Sequence, residues 1–83
     1  MSTEPIDKQL EDIVREYCPA LEPHDHLDAD DNLADRGLNS LGTIGILVAV
    51  EEAFGVSFSD EDLSFETFKS VRNLRLTVLK YLA

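Results

Sequence analysis

Eighty-three residues, 43% of them hydrophobic and 29% charged, have the composition of one small globular domain, with a modest core and no room for a large active-site cleft. No apolar run approaches the ~18 residues of a membrane span, and the N-terminus lacks an apolar signal segment, so a cytoplasmic protein that does not enter the membrane is expected. A net charge of −10 excludes nucleic acid as a partner, because its phosphates demand a basic footprint.

Met1 to Glu4 reads as a frayed start, and Pro5 suits a first helical position, where its missing N–H costs nothing. A first helix is expected from about Pro5 to Tyr17. Ile6, Leu10, Ile13, Val14 and Tyr17 recur at the spacing of one packed face, and Asp7, Lys8, Glu11, Asp12, Arg15 and Glu16 take the other. Cys18, just before Pro19, reads as a small hydrophobe; as the lone cysteine it cannot form an internal disulfide. Pro19 to Asn39 is a long connection, uncommon unless it is functional or holds short turns of its own. Leu21, Leu27, Leu33 and Leu38 are expected to pin it to the core. His24 and His26 stand among Asp25, Asp28, Asp30 and Asp31, but no recognisable ligand spacing joins them, so no dedicated metal site is expected.

From Gly37 to Val50 a polar turn becomes a helix at Ser40. At the 3.6-residue period this second helix shows two apolar stripes where a small domain needs one. Ile46, Leu47, Val50, Ala53 and Phe54 make the expected core face. Leu41, Ile44 and Val48 make a second, separated from the first by Gly42, Gly45 and Ala49 on one flank and by Ser40 and Glu51 on the other. This second stripe reads as a docking surface, with Glu51 and Glu52 able to steer a basic partner onto it. Asn39 and Ser40 are both residue types that cap helices, so one can cap while the other does something else.

Gly55 is placed to end this helix in a left-handed conformation. Val56 to Ser59 reads as an extended linker. Ser59 with Asp62 three residues on suggests a capped short helix over Asp60 to Phe65. Ser70 reads as the cap of a last helix, Val71 to about Leu82, with Val71, Leu74, Val78, Tyr81 and Leu82 inward and Leu76 off that face. Lys80 near its C-terminus complements the helix dipole. The whole predicts an all-α four-helix bundle, three long helices and one short, with a long first loop and an ordered core over residues 5–82 of a single 1–83 domain.

At Asn39-Ser40-Leu41 the chain resembles the acyl and peptidyl carrier proteins, whose signature is an Asp-Ser-Leu triplet opening the second helix. The lead-in Asp30 to Leu38 fits that family, as do the exit Glu51-Glu52-Ala53-Phe54-Gly55 and the acidic run Ser59 to Asp62. The resemblance spans about Ile6 to Leu82 and includes the small discrete aminoacyl carriers. It implies an acyl-carrier-protein-like fold and a 4'-phosphopantetheine arm on Ser40, flanked by Asn39 and Leu41. It further implies a role as a stand-alone, monomeric holder of thioesters rather than an enzyme. Its partners would be a phosphopantetheinyl transferase, an acyl- or aminoacyl-loading ligase and downstream transferases.

Three departures bear on partner choice. Asn39 replaces the usual aspartate, Gly42 and Gly45 replace acidic residues of fatty-acid carriers, and Arg36 replaces a common apolar residue. They favour a specialised aminoacyl, polyketide or peptide pathway over bulk fatty acid synthesis. Each helical glycine costs roughly 0.5–1 kcal/mol relative to alanine, so close approach of a partner or of the arm along Gly42, Gly45 and Ala49 is expected to offset it. On that view Gly45→Glu impairs the true partner and, by restoring the acidic pattern, improves recognition by fatty-acid enzymes. The alternative function is an arm-less helical adaptor that binds through Leu41, Ile44 and Val48.

Overall fold

Both later helices pack on α1 (Ile6–Glu16) in the computed structural model, which describes residues 6–82. Pro5 and the expected Met1–Glu4 start lie outside the described residues. Leu10 and Val14, four apart, are fully buried, and Ile6, Ile13 and Tyr17 are partly buried against the same core. The outer face is tied by Lys8–Asp12 at 3.2 Å and Arg15–Glu11 at 3.0 Å, pairs of the i, i+4 kind that add only a few tenths of a kcal/mol each. Cys18 is fully buried just beyond the helix, and burial pushes its thiol pKa up, which keeps it out of nucleophilic chemistry.

The long connection is stitched down along its length. Leu21, Leu27 and Leu33 are buried and Leu38 packs beside them, as expected. Backbone bonds run from Ala20 N–H to the Arg36 carbonyl (3.1 Å), from Leu33 N–H to the Lys69 carbonyl (2.9 Å) and from Arg72 N–H to the Ala29 carbonyl (2.9 Å). The loop contains a 3-10 turn, Leu33–Arg36, capped by the Asn32 side chain and closed by Gly37 at φ 96°. Asp31 accepts the Asp28 N–H and pairs with Arg36 at 3.0 Å; the backbone bond first, then Arg36, holds its carboxyl below the usual range. His24 and His26 are exposed, and among the described residues no cluster of three His, Cys, Asp or Glu is placed to hold a metal ion.

α2 (Ser40–Phe54) buries Ile46 and Val50 fully, with Leu47 and Phe54 partly covered; Ala53, expected inside, is exposed. Gly55 ends it at φ 66°, with its N–H on the Glu51 carbonyl. α3 (Val71–Leu82) begins where the Ser70 hydroxyl accepts the Asn73 N–H at 3.2 Å and buries Val71, Leu74 and Val78. Leu76 is exposed as expected; Leu82, expected inward, lies at the last turn of the helix and is exposed as well. Among the described residues no helix is long and apolar enough to cross a membrane.

Three α-helices, not four, are present among the described residues. The expected short helix over Asp60 to Phe65 is only a 3-10 turn, Asp60–Asp62, followed by a further turn through Phe68. Short helices depend on burying an apolar face, and here Leu63 and Phe65 are both exposed. The cap is diverted too. Ser59 donates its hydroxyl to the Asp62 carboxylate at 3.1 Å instead of capping a backbone N–H.

Asp62 is the reason the turn is held where it is. Its carboxylate takes Lys80 Nζ at 2.7 and 2.9 Å and the Tyr81 hydroxyl, while that hydroxyl accepts the Ser59 N–H at 2.8 Å. Behind it Tyr81 stacks on Phe58 at 5.6 Å between ring centroids. Lys80, then Tyr81 and Ser59, lower the Asp62 pKa, so its contacts stabilise the fold fully above the unfolded aspartate value of about 3.9 and lose their effect as pH falls through the lower folded value. Asp62→Asn is therefore expected to melt below wild type at pH 7, with the gap closing below about pH 4. Thermal melts at the two pH values check this; a gap that widens in acid contradicts it.

Candidate functional site

Asn39, extended at φ −119°, is the N-cap of α2. Its Oδ1 accepts the Gly42 N–H at 2.8 Å, and its carbonyl accepts the Thr43 N–H at 2.9 Å and the Thr43 hydroxyl at 3.0 Å. With the cap supplied by Asn39, the exposed Ser40 side chain makes no hydrogen bond within the described residues. The first turn has no acidic side chain, and the backbone N–H groups of Ser40 and Leu41 precede the first intrahelical bond and leave positive potential beside the hydroxyl.

The hydroxyl opens on a groove of about 390 Å³ between the start of α2 and the turn before α3. Leu38, Leu63, Phe65 and Phe68 line it, together with Lys69. The sequence reading missed Leu63, Phe65 and Lys69. A signal existed: residues two apart cannot share a helix face, so Leu63 and Phe65 could not both be buried by a helix there. A second cavity, about 280 Å³ between α1 and α3, lies away from Ser40, and its charged lining residues are all in ion pairs, Arg75 with Asp7 at 2.7 Å, Glu11 with Arg15 and Arg72 with Asp30.

The second stripe of α2 faces outward, with Leu41 80%, Ile44 57% and Val48 48% exposed. Phe65, 69% exposed, adds an aromatic ring on the far side of the groove. The other residues expected to dock a partner do different work. The Glu51 carboxylate accepts the Phe58 N–H at 2.8 Å and so anchors the linker; Glu52 alone of the two projects freely. Gly42 and Gly45 do not form an open strip. A Cβ at Gly45 would lie 2.7 Å from Cδ1 and Cζ of Tyr17, and one at Gly42 would lie 2.9 Å from Leu38 Cδ1 and 3.0 Å from the Tyr17 carbonyl oxygen. The close approach that the glycines allow is that of α1 and its exit, inside the molecule.

Residues 8–75 match the model of the family described as phosphopantetheine attachment site. The chain belongs to this family, whose domains bear covalently attached 4'-phosphopantetheine and act as carriers rather than enzymes. In shape it is similar to the carrier protein from Agrobacterium tumefaciens in two crystal structures with an engineered Bradyrhizobium japonicum glycine:[carrier protein] ligase. The complex with AMP matches at TM-score 0.81 over 89% of this chain and 99% of that one, the complex with ATP at 0.82 over 92% and 99%, both at 24% identity. That likeness establishes an acyl-carrier-like fold. Comparison with curated proteins returns no significant match.

Proposed function

We propose that Ser40 carries the 4'-phosphopantetheine arm and that the domain holds activated acyl groups, aminoacyl ones in particular, as thioesters in a specialised pathway. One observation carries this: Asn39 caps α2, so Ser40 sits at the positive end of a helix with a hydroxyl that no hydrogen bond among the described residues uses. A phosphodiester fits that donor set, with an ester oxygen from Ser40 and free N–H groups beside the anion. When bound, the arm supplies a thiol to which cargo is esterified. The chain's own residues fix where the arm begins and present the surface around it. An arm-less adaptor, the alternative use of the same stripe, has no observation in its favour beside the family match.

The aminoacyl preference rests on α2 and on one resemblance. From Ser40 to Val50 the helix has no charged residue, unlike the acidic helix expected of fatty-acid carriers. The similar Agrobacterium carrier was crystallised with a glycine ligase. Partners on this view are a phosphopantetheinyl transferase, a loading ligase and an acceptor transferase, in the cytoplasm where coenzyme A is at hand. To test it, the arm-bearing protein is incubated with ATP and a panel of amino-acid-activating and fatty-acyl-activating ligases, and thioesters are read by intact mass. Aminoacyl loading is expected. Loading by fatty-acyl ligases alone contradicts the cargo assignment.

The apolar stripe is the expected docking surface for the ligase. Because Ile44 and Val48 are about half exposed, Ile44→Ala and Val48→Ala should change folding stability by less than about 0.5 kcal/mol. If they anchor the interface, each weakens loading by about 1–2 kcal/mol. Melting curves and loading kinetics check the pair of effects. Unchanged loading in both variants removes the stripe from the interface.

A further inference from the structure

In a chain with net charge −10, basic side chains are expected to be occupied by carboxylates, and six of the seven are: Lys8 with Asp12, Arg15 with Glu11, Arg36 with Asp31, Arg72 with Asp30, Arg75 with Asp7 and Lys80 with Asp62. Among the described residues only Lys69 has no ion pair. It lines the groove onto which Ser40 opens. Its backbone is held at both ends, the carbonyl accepting the Leu33 N–H at 2.9 Å and the N–H donating to the Glu66 carbonyl at 3.3 Å, while the side chain is exposed. Glu66, three residues back, and Asp35, on the neighbouring 3-10 turn, are exposed and leave it unpaired.

We infer that Lys69 is the counter-charge for the arm's phosphodiester and that this pairing lays the pantetheine along the apolar wall of Leu63, Phe65 and Phe68. The inference rests on Ser40 as the attachment point. An arm there adds a negative charge to an already anionic chain, and Lys69 is the cation of this groove left free to meet it. The groove, at about 390 Å³, falls within the range of small-molecule sites. Leu63 and Phe65 are 46% and 69% exposed, so the pantetheine stem removes apolar surface from water as it settles. The arm thus has a parked position and a free one. The ion pair is exposed, which limits it to about a two- to fivefold bias toward the parked state. Lys69 in this account positions the arm; it touches no reacting atom.

The test compares apo and arm-bearing forms of the wild type, Lys69→Gln and Lys69→Arg by backbone amide NMR, after intact mass has shown the arm in place. In the wild type, attachment should move the amides of residues 63–69 as well as those flanking Ser40. These remote shifts should shrink in Lys69→Gln, by as much as about two- to fivefold, persist in Lys69→Arg, and fade in the wild type as salt is raised to about 0.3 M. Arm-induced shifts confined to the neighbourhood of Ser40, or remote shifts identical in Lys69→Gln, overturn the role of Lys69 and leave the attachment intact. Absence of the arm from the wild type overturns the Ser40 assignment, and this inference with it.

Discussion

Gly45→Ala and Gly45→Glu are expected to lower the melting temperature of the apo-protein by roughly 5–15 °C. The added Cβ overlaps the Tyr17 ring, and overpacking of this sort costs about 1–3 kcal/mol. Contact with several ring carbons under 3.0 Å puts the clash in the upper part of that range, about 2–3 kcal/mol; replacing a helical glycine returns about 0.5–1 kcal/mol, so the net loss is about 1–2 kcal/mol, and each kcal/mol shifts the midpoint of a domain this small by about 4–8 °C. The loss should be common to both variants, because it arises at Cβ and not from the charge. Tyr17→Ala supplies the control: with the ring gone, Gly45→Ala should become neutral or stabilising, and a double-mutant cycle should return a coupling of at least about 1 kcal/mol. A Gly45→Ala that melts at or above wild type, with Tyr17 present, means the glycine serves something other than the α1–α2 contact.

This result would also separate two explanations for loss of loading in glycine variants. Sequence pattern alone points the glycines at a partner, because a small residue on a helix face marks close approach without saying who approaches. The approaching group, Tyr17, is 28 residues earlier in the chain and comes near only when the long loop folds back. The folded chain likewise reveals the partners of Glu51 and Asp62: a glutamate near a helix end reads as a steering charge until the Phe58 N–H arrives, and an aspartate in an acidic run reads as a helix-starting residue until Lys80 and Tyr81 claim it.

Local signals fared better. The i, i+4 pattern of Leu10 and Val14, the Ser70 cap, the left-handed Gly55 and the four pinning leucines of the loop are properties of a few neighbouring residues, and all are found in the fold. The helix start at Ser40 was legible for the same reason, since it depends on Asn39 and the helix that follows. Lys69 was not, since its distinction is the absence of a carboxylate partner, which only the folded set of ion pairs reveals.

The second large effect is all-or-none and bears on the central claim. Ser40→Ala should fold as the wild type does, with stability within about 0.5 kcal/mol, because Asn39 keeps the cap and the Ser40 hydroxyl bonds to nothing among the described residues. The variant should nevertheless accept no arm. Wild type and Ser40→Ala are each incubated with coenzyme A and a broad-specificity phosphopantetheinyl transferase, and intact masses are compared, with peptide mapping of any product. One phosphopantetheine on the wild type, mapped to Ser40, and none on a folded Ser40→Ala is the predicted result. An equal mass gain in both proteins, or an arm mapped to Ser57, Ser59, Ser64 or Ser70, would contradict it.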